Sequence, residues 1–454
     1  MEEKKLGKLD VFLMLITGLM FADAIASDSS AGVPAMAWWL ILGVLYMIPS
    51  GMIIGELSGV LPGEGGIYVW IKEGIGPRAA AMCSWLFFCC GLFIPVSSFI
   101  MCSDILFTLF LPTAPYIIRV VVAIVIIWIM VFVCSKSMDE AKWVTNLSGW
   151  IKLSFFVLSF VAGIVFIAQG NALANSMTLK DILPTADQGL MYLPIIVYCC
   201  TGMELASASA EQTKNPKKTL PKVIVGVAIL AVFLNIISTF GMLAVVPVDE
   251  IDLDFGLLAL LDTVFHSPVL YYLFGIALLF SVFAQCVTWM VGANRGTCES
   301  GKAGELPAIF GKENKDGQPI GAIIISAVAG TVFLILYAFL ADSASDLFFS
   351  LLNCGVIGSL LPYVFMIIAY QRLKKAGRMD NYDGFKCPAG IACSWVVQII
   401  QCATLLLMIY IPGYGIADDI LTSLISAVVM IGAGIIAIRY AENHKAPISD
   451  NENE

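Results

Sequence analysis

Charged side chains are scarce in this chain: Asp, Glu, Lys and Arg make up 13% of its 454 residues, about half the share found in soluble domains. Histidine is scarcer still, since His266 and His444 are the only two, and they do not suffice for a histidine-based metal site or a Ser–His–Asp triad. A phosphate-binding G-x-x-x-x-G-K-[ST] loop is also missing. These absences argue against a soluble enzyme, a metal site and an ATP-driven pump, and we expect no cofactor.

Hydrophobic residues make up 59% of the chain, and its mean hydropathy is +0.90. Apolar windows long enough to cross a bilayer, about 20 residues each, recur along the whole sequence. They lie near residues 11–33, 36–60, 80–110, 116–135, 145–168, 189–210, 222–246, 268–296, 319–341, 345–371, 391–412 and 418–441. The pattern predicts an all-α membrane protein with 12 transmembrane helices in contact with the lipid bilayer.

Basic residues are distributed unevenly between the predicted loops. The loops on the side of the two chain termini carry most of the Lys and Arg, whereas the opposite loops carry only Arg119 and Lys180. Because basic loops stay in the cytoplasm, we expect both termini to be cytoplasmic. The basic residues then serve as topology signals, and no nucleic-acid partner is expected.

Two of the predicted spans lose their apolar character part-way across the membrane. The first span does so from Asp23 to Gly32, and the sixth does so at Gly202–Ser209. These are corresponding positions if spans 1–5 and 6–10 are inverted copies, and paired interruptions of this kind point to the binding site of a secondary transporter. The alternative is that the two interruptions are unrelated weak points in ordinary helices.

Four motifs surround these spans. They are GELSGVLPGEGGIYVWIKEGIGPR from Gly55 to Arg78, GMELASASAEQTKNPKKTLP from Gly202 to Pro221, VVPVDEIDL after span 7, and WMVGANRGTCESGKAGELPAIFGKENKDGQP from Trp289 to Pro319. In order and spacing, the set resembles the amino acid–polyamine–organocation (APC) transporter superfamily. It is most similar to the bacterial glutamate–γ-aminobutyrate antiporter branch.

The resemblance implies a single transmembrane domain over residues 1–441, with the inverted 5+5 repeat of LeuT-like transporters. In that fold helices 1 and 6 are discontinuous, and helices 11 and 12 are additional. Repeat one would cover about 11–168, repeat two about 189–371, and the additional helices about 391–441. Residues 442–454 are polar and are expected to form a disordered cytoplasmic tail.

At the first interruption, the resemblance implies that a turn of small residues exposes backbone N–H groups to the carboxylate of a substrate. The small residues of this turn are Ala26, Ser27, Ser29, Ser30 and Gly32. The chain adds two carboxylates, Asp23 and Asp28, which are costly in an apolar span and need a reason. Either they pair with the ammonium group of a substrate, or Asp28 caps the second half-helix and Asp23 pairs with a protein group.

At the second interruption, the resemblance implies that unwound carbonyls around Cys200, Thr201 and Gly202 accept the amine of the substrate. Glu204 matches the Glu of a G-x-E-x-A-S pattern, which in the resembling antiporters is linked to proton sensing and gating. Its alternative role is a static hydrogen bond between helices.

Three more side chains are candidates because of their positions. Tyr198 stands where a related antiporter has a gating aromatic, and Trp289 matches an aromatic that lines the site there; such rings can cover a cationic substrate, although most membrane aromatics only pack or mark the interface. Lys152 lies inside the fifth span. The resemblance places it near a vacated sodium site, where it would bridge helices 1 and 8 and release a proton. The alternative is a side chain that extends to the membrane surface.

Together these features predict a secondary-active antiporter, not an enzyme, that exchanges an amino acid for a related amine by alternating access. The amine is expected to be the decarboxylation product of the amino acid. A proton-coupled uptake symporter for amino acids or polyamines is the alternative, and a substrate sensor without transport is a further one. The expected partners are the small-molecule substrate and lipid, and the expected assembly is a monomer or homodimer.

Overall fold

The computed structural model of the chain describes residues 6–184, 196–197, 199–253, 255–339, 344–410 and 420–444. These residues form helices, turns and connecting segments, with an isolated β-bridge between Leu6 and Thr213. At this bridge the N–H of Leu6 donates to the Gln212 carbonyl at 3.2 Å, and the N–H of Lys214 donates to the Leu6 carbonyl at 3.1 Å. The segment before the first helix is therefore attached to the segment that follows the sixth predicted span.

The helices of the first half build the first five predicted spans. They are α1 (Lys8–Leu19), α2 (Ile25–Ser29), α3 (Ala35–Leu42), α4 (Ile48–Val60), α5 (Ile67–Gly74), α6 (Pro77–Phe110), α7 (Tyr116–Cys134) and α8 (Met138–Ala168). A 3-10 turn over Ala22–Ala24 separates α1 from α2, and a π-helical turn over Gly43–Met47 joins α3 to α4. The first span is thus interrupted as predicted, whereas the second continues through its π turn.

The second half begins with a short helix and then repeats the long spans. Its α-helices are α9 (Leu179–Ile182), α10 (Pro216–Val245), α11 (Gly256–Phe265), α12 (Pro268–Lys302), α13 (Ile320–Ala338), α14 (Ala344–Lys375), α15 (Gly390–Tyr410) and α16 (Ile420–Asn443). The later part of the sixth span is a 3-10 helix over Met203–Ser209. A further 3-10 turn over Val248–Glu250 precedes α11, a short helix between the seventh and eighth spans that the sequence pattern does not predict.

Eight segments of the described chain are long and apolar enough to cross a membrane, and α11 and Ile320–Leu336 are shorter apolar helices. Residues 189–195 of the predicted sixth span and 411–419 near the ends of the last two spans lie outside the described residues. The number of 12 helices, the division into repeats and the single-domain boundaries therefore stay predictions. The predicted tail lies mostly outside the described residues too, because α16 ends at Asn443 and the description ends at residue 444.

The long helices pack into two groups that enclose the interrupted segments. In one group α6 packs against α12 and α14, and in the other α10 packs against α4 and α8. Gly241 allows α10 and α8 to approach closely, because a Cβ at this position would lie 2.0 Å from the Ser159 carbonyl oxygen. Between the groups, α1 and the 3-10 helix Met203–Ser209 contact each other, and both contact α12. The two interruptions therefore lie side by side.

Candidate functional site

The first span is broken at Met20 and Phe21, whose backbones are extended, with φ −90° and ψ 108° at Met20 and φ −90° and ψ 92° at Phe21. Such a break leaves the carbonyls of the last helical turn without partners in their own helix. Side chains from distant helices replace these partners. The Trp289 Nε1–H donates to the Gly18 carbonyl at 2.9 Å, and the Lys152 ammonium group donates to neighbouring carbonyls of the same break.

Lys152 is fully buried on α8. Its Nζ donates to the Thr17 carbonyl at 2.8 Å, to the Met20 carbonyl at 2.6 Å and to Gln285 Oε1 on α12. These contacts use all three hydrogens of the ammonium group. The side chain therefore bridges the first span and α12 instead of extending to the membrane surface, and Asp23 is the carboxylate that acts on its charge.

Asp23 lies in the 3-10 turn between α1 and α2 and is half-buried. Its Oδ1 atom is buried and has no hydrogen-bond partner among the described residues. A buried carboxylate oxygen without a donor requires an explanation, because most buried polar atoms are hydrogen-bonded. The Lys152 ammonium group acts on this carboxylate electrostatically, but its hydrogens are directed to the acceptors named above.

Asp28 is buried in α2 and connects the two interrupted segments. Its Oδ1 accepts a hydrogen bond from the thiol of Cys199, which belongs to the sixth span, with 3.6 Å between sulfur and oxygen. The N-cap position of α2 is occupied by Ala24, and no side chain caps this helix. Asp28 therefore does not have the capping role that was the alternative to substrate binding.

The serine hydroxyl groups of the first interruption turn back onto the local backbone. Ser27 Oγ donates to the Ala24 carbonyl at 3.0 Å, Ser29 Oγ to the Ile25 carbonyl at 2.6 Å, and Ser30 Oγ to the Ser27 carbonyl at 2.7 Å. Ala26 is buried under α11, since a Cβ at Gly256 would lie 2.8 Å from the Ala26 Cβ. Gly32 ends the turn with φ +74°, which glycine adopts without strain. The hydroxyl groups are thus used within the turn itself.

The second break centres on Gly202, which has φ +111°. The preceding turn ends where the N–H of Cys200 donates to the Val197 carbonyl at 3.1 Å. Thr201 follows and is fully buried. The N–H of Gly202 donates to the hydroxyl oxygen of Tyr363 on α14 at 2.7 Å. Like the first break, this one is stabilised by a side chain from a distant helix.

Glu204 lies in the first turn of the following 3-10 helix and is 3% exposed. The Tyr363 hydroxyl donates to Glu204 Oε2 while it accepts from Gly202. Glu204 Oε1 is buried and has no hydrogen-bond partner among the described residues. A hydrogen bond between helices is therefore present, but it uses only one of the two carboxylate oxygens.

Trp289 is fully buried and lies between the two breaks. Its Nε1–H bonds the Gly18 carbonyl of the first break, and its ring lies against the second, since a Cβ at Gly202 would be 3.2 Å from Trp289 Cζ2. The ring of Phe87 on α6 is the aromatic neighbour, with 6.3 Å between centroids. The other predicted aromatic, Tyr198, lies outside the described residues.

The two interruptions thus meet beside a buried lysine and an indole. A family model described as amino acid permease matches residues 6–438, which is nearly the whole chain. The chain belongs to the amino acid permease family. This permease is 26% identical over 379 residues to the probable agmatine/putrescine antiporter AguD of Lactococcus lactis subsp. lactis (strain IL1403), with 82% of the permease and 80% of that protein covered. It is 23% identical over 400 residues to the glutamate/gamma-aminobutyrate antiporter of the same strain, with 84% and 79% covered.

Solved structures share the fold of the permease. The manganese transporter of Eremococcus coleocola, in complex with an aromatic bis-isothiourea substituted compound, matches with a TM-score of 0.63 and 13% identity over 96% of the permease and 94% of that chain. At this identity the likeness shows the fold alone. The predicted superfamily, the all-helical transporter fold and the role as a membrane transporter that is not an enzyme are confirmed.

Three residues of the site were not predicted from the sequence: Tyr363, Gln285 and Cys199. Tyr363 follows Pro362 inside α14, and Gln285 is a polar residue in the middle of α12. Gln285 stands out as a polar side chain inside an apolar window, whereas Tyr363 is in sequence an ordinary aromatic residue of its span. No sequence signal distinguishes Cys199 from the other cysteines of the apolar windows.

Proposed function

We propose that this permease is a secondary-active antiporter that exchanges an amino acid for a related amine, and that at least one of the two carries a net positive charge. Its relatives are named as antiporters, one of them for agmatine and putrescine and another for glutamate and γ-aminobutyrate. The carboxylates of this site favour the cationic type of cargo. A doubly negative substrate would meet the carboxylates of Asp23 and Asp28, and the nearby Lys152 ammonium group already donates its hydrogens to Thr17, Met20 and Gln285.

The observation that carries this proposal is the buried Oδ1 of Asp23, which has no donor among the described residues. An ammonium or guanidinium group of a substrate supplies both a donor and a compensating charge, and such charge-assisted hydrogen bonds are among the strongest. Lys152 does not fill this role, because its three hydrogens are directed to Thr17, Met20 and Gln285. We therefore assign the open Oδ1 of Asp23 to a cationic donor of the substrate.

The remaining roles follow from the two breaks. The substrate lies between the turn 26–32 and the unwound segment 200–202, and its amine is accepted by carbonyls of the second segment. Trp289 covers the substrate from α12, and Tyr198 acts as a gating aromatic. Glu204 couples substrate movement to proton exchange and gating, while Lys152 takes the place of a bound cation between the first span and α12.

Exchange is tested with the purified permease in liposomes. Vesicles are loaded with unlabelled putrescine, agmatine, arginine or lysine, and the uptake of the same labelled compounds is followed. We expect uptake only into vesicles that contain a counter-substrate, with the cationic amines giving the fastest exchange. Equal uptake into empty vesicles when a proton gradient is imposed would contradict exchange.

The role of Asp23 is tested with Asp23→Asn in the same vesicles. We expect the apparent KM for a diamine to rise at least tenfold and that for a zwitterionic amino acid to rise less than threefold, because only the diamine loses a charge partner. Asp262→Asn, at an exposed position of α11, is the matched control and is expected to leave both values unchanged. Equal losses for both substrates would assign Asp23 to structure.

Proton-coupled symport is the second candidate, and the free Oε1 of Glu204 is the observation that favours it. Under symport, labelled substrate enters empty vesicles as fast as preloaded ones when the outside is acidic. A substrate sensor without turnover would instead bind substrate, which a rise in Tm detects, and show no counterflow. The vesicle experiment together with the Tm measurement therefore separates all three functions.

We further propose that both termini of the permease are cytoplasmic in a bacterial inner membrane, because the loops on their side hold most of the Lys and Arg. A single cysteine added after residue 454, in a variant without its native cysteines, should be labelled by a membrane-impermeant reagent only after the cells are opened. The proposed assembly is a monomer or a homodimer, and light scattering of the detergent-solubilised protein measures which one forms.

A further inference from the structure

The motif between α4 and α5, Pro62–Gly66, has no role in the proposed substrate site but packs directly beside it. Glu64 in its centre forms an ion pair with Arg295 of α12, with 2.7 Å between Oε2 and Nη1. The two side chains are only 11% and 3% exposed. Gly66 has φ +47°, and a Cβ there would lie 2.1 Å from Ser207 Oγ. The loop therefore rests on the 3-10 helix that carries Glu204.

A small cavity lies between this loop and the sixth span. Its volume is about 10 Å³, which is room for one water molecule. Glu64 and Glu204 both line it, together with Ser207 and Gly296. Glu204 Oε1, the oxygen that Tyr363 does not use, is buried and has no partner among the described residues. The cavity thus provides one water position that is lined by both glutamate residues.

A second buried glutamate shows what a purely structural carboxylate looks like in this protein. Glu56 of α4 is fully buried, and both of its oxygens have donors. Oε2 accepts from the Tyr370 hydroxyl at 2.7 Å and from the Cys387 N–H at 3.0 Å, while Oε1 accepts from Lys374. Glu204 differs because its Oε1 has no donor among the described residues.

We propose that Glu64 is a second proton-carrying residue of this permease, linked to Glu204 through one water molecule in this cavity. In the transfer, the protonated carboxyl group of Glu64 gives its proton to the water, and the water gives one of its protons to Glu204 Oε1. Glu64 is left as the carboxylate that pairs with Arg295, and no electrons move. This inference rests on the proposed proton role of Glu204, and it gives protons a route that does not require the helices to separate.

The surroundings of Glu64 suit a group that gains and loses a proton near neutral pH. The pKa of Glu64 is raised to about 7, because burial and the carboxylates of Glu211, Glu313 and Glu299 raise it more than the Arg295 guanidinium lowers it. Lys302 partly neutralises two of these carboxylates, at 2.8 Å from Glu299 and 2.8 Å from Glu313. Glu64 is therefore protonated mainly below pH 7, and it is charged and paired with Arg295 above that pH.

The groups that face Glu204 differ from the charged groups around Glu64. They are Tyr363 of α14, Tyr46 of the π-helical turn and Cys90 of α6. None of these side chains carries a fixed positive charge that would hold Glu204 in its ionised form. A proton that arrives through the cavity can therefore stay on Glu204 until the substrate changes its surroundings.

The test compares three variants of the permease in liposomes that contain a pH-sensitive dye. Glu64→Gln removes the proton carrier. Gly296→Ala adds a methyl group at the lining of the cavity and keeps both glutamates; the added Cβ would lie 3.2 Å from the carbonyl oxygen of Gly65, which also lines the cavity. Glu313→Gln is the matched control, since it removes a carboxylate that also faces Arg295, at 3.7 Å, but does not line the cavity.

Two quantities are measured at each pH: the amount of labelled substrate exchanged and the number of protons moved. We expect the ratio of protons to exchanged substrate to fall at least fivefold in Glu64→Gln and in Gly296→Ala, and to stay within twofold of the wild type in Glu313→Gln. The Tm of each variant shows that it is folded. Should Glu64→Gln not fold, Gly296→Ala tests the route alone.

The proposal is overturned if both cavity variants keep the wild-type ratio, or if Glu313→Gln lowers it as much as they do, because the effect would then be general electrostatics. Exchange by the wild type without any proton movement would also overturn it, and would leave the exchange function standing. Proton movement without exchange of label would instead reject the proposed exchange function.

Discussion

The two helix interruptions of this permease are stabilised by different kinds of side chain. At the first break the donors are the Lys152 ammonium group and the Trp289 indole, and each donates to backbone carbonyls. At the second break the Tyr363 hydroxyl both accepts from Gly202 and donates to Glu204. A hydroxyl–carboxyl pair can rearrange when a proton arrives, whereas an ammonium group with all three hydrogens in use cannot do so without losing contacts. The first break is therefore a fixed frame, and the second is adjustable.

The largest difference between the two breaks is expected when the Lys152 ammonium group is removed from the first one. Lys152→Met leaves two carbonyls and the Gln285 amide oxygen buried without their donor, and a buried acceptor left unsatisfied costs about 1–3 kcal/mol each. We expect a clearly lower Tm and exchange reduced more than tenfold. Lys180→Met, at an exposed position, is the control for loss of a lysine. An unchanged Tm in Lys152→Met would show that the break does not depend on the ammonium group.

Loss of the Trp289 indole donor should have the next largest effect on stability and on exchange. Trp289→Phe keeps an aromatic ring beside Gly202 but leaves the Gly18 carbonyl unbonded, which costs about 1–3 kcal/mol. We expect a lower Tm and an apparent KM about fivefold higher, in line with part of that cost. Trp150→Phe, at an exposed position of α8, should change neither value. If Trp289→Phe behaves like the wild type while Trp289→Ala does not, the ring alone is important and the N–H is not.

A substitution at the second, adjustable break should change the pH dependence of exchange more than the stability of the protein. Tyr363→Phe removes the contacts to both Gly202 and Glu204, at a cost of about 1–2 kcal/mol. We expect its pH profile of exchange to shift in the same way as that of Glu204→Gln, with the apparent KM changed less than threefold. Tyr370→Phe is the matched control, because this tyrosine also donates to a buried glutamate, Glu56, away from the breaks. A pH profile that stays as in the wild type would make Tyr363 structural.

The smallest effect is expected in the turn after the first break. Ser30 Oγ donates to the nearby Ser27 carbonyl, so Ser30→Ala removes a local contact in a half-buried turn. The expected change in the free energy of unfolding is within about 0.5 kcal/mol, and the apparent KM should not change. A fivefold rise in KM would show that this hydroxyl contacts the substrate, and would place part of the adjustable chemistry in the first break.

The sequence predicted the family, the helical class and the existence of both interruptions, because the lapses in apolar character are local. It placed the first lapse from Asp23 onwards, whereas the backbone leaves the helix already at Met20. That position is set by Lys152 and Trp289, which lie 132 and 271 residues from the carbonyls they bond. A local sequence pattern cannot reveal contacts between residues that are so far apart in the chain.

The same reason explains the residues that were missed. Tyr363 reaches Glu204 and Gly202 across 159 and 161 residues of chain, and in sequence it is one more aromatic residue in an apolar span. α11 was missed for a different reason, since its 10 residues are too few to stand out between two long spans. Asp23, Asp28 and Glu204 were found because a carboxylate inside an apolar window stands out on composition alone. Their roles toward a substrate stay predictions.

The backbone clasp between Leu6 and the stretch 212–214 links the stems of both discontinuous helices at the side where the chain begins. Neither stem can swing outward alone without parting two main-chain hydrogen bonds. If this face opens during transport, we expect the two helices to move together there, or Leu6 to lose its two main-chain hydrogen bonds first. Leu6, ahead of the first helix, thus couples the two interrupted helices at this end of the molecule.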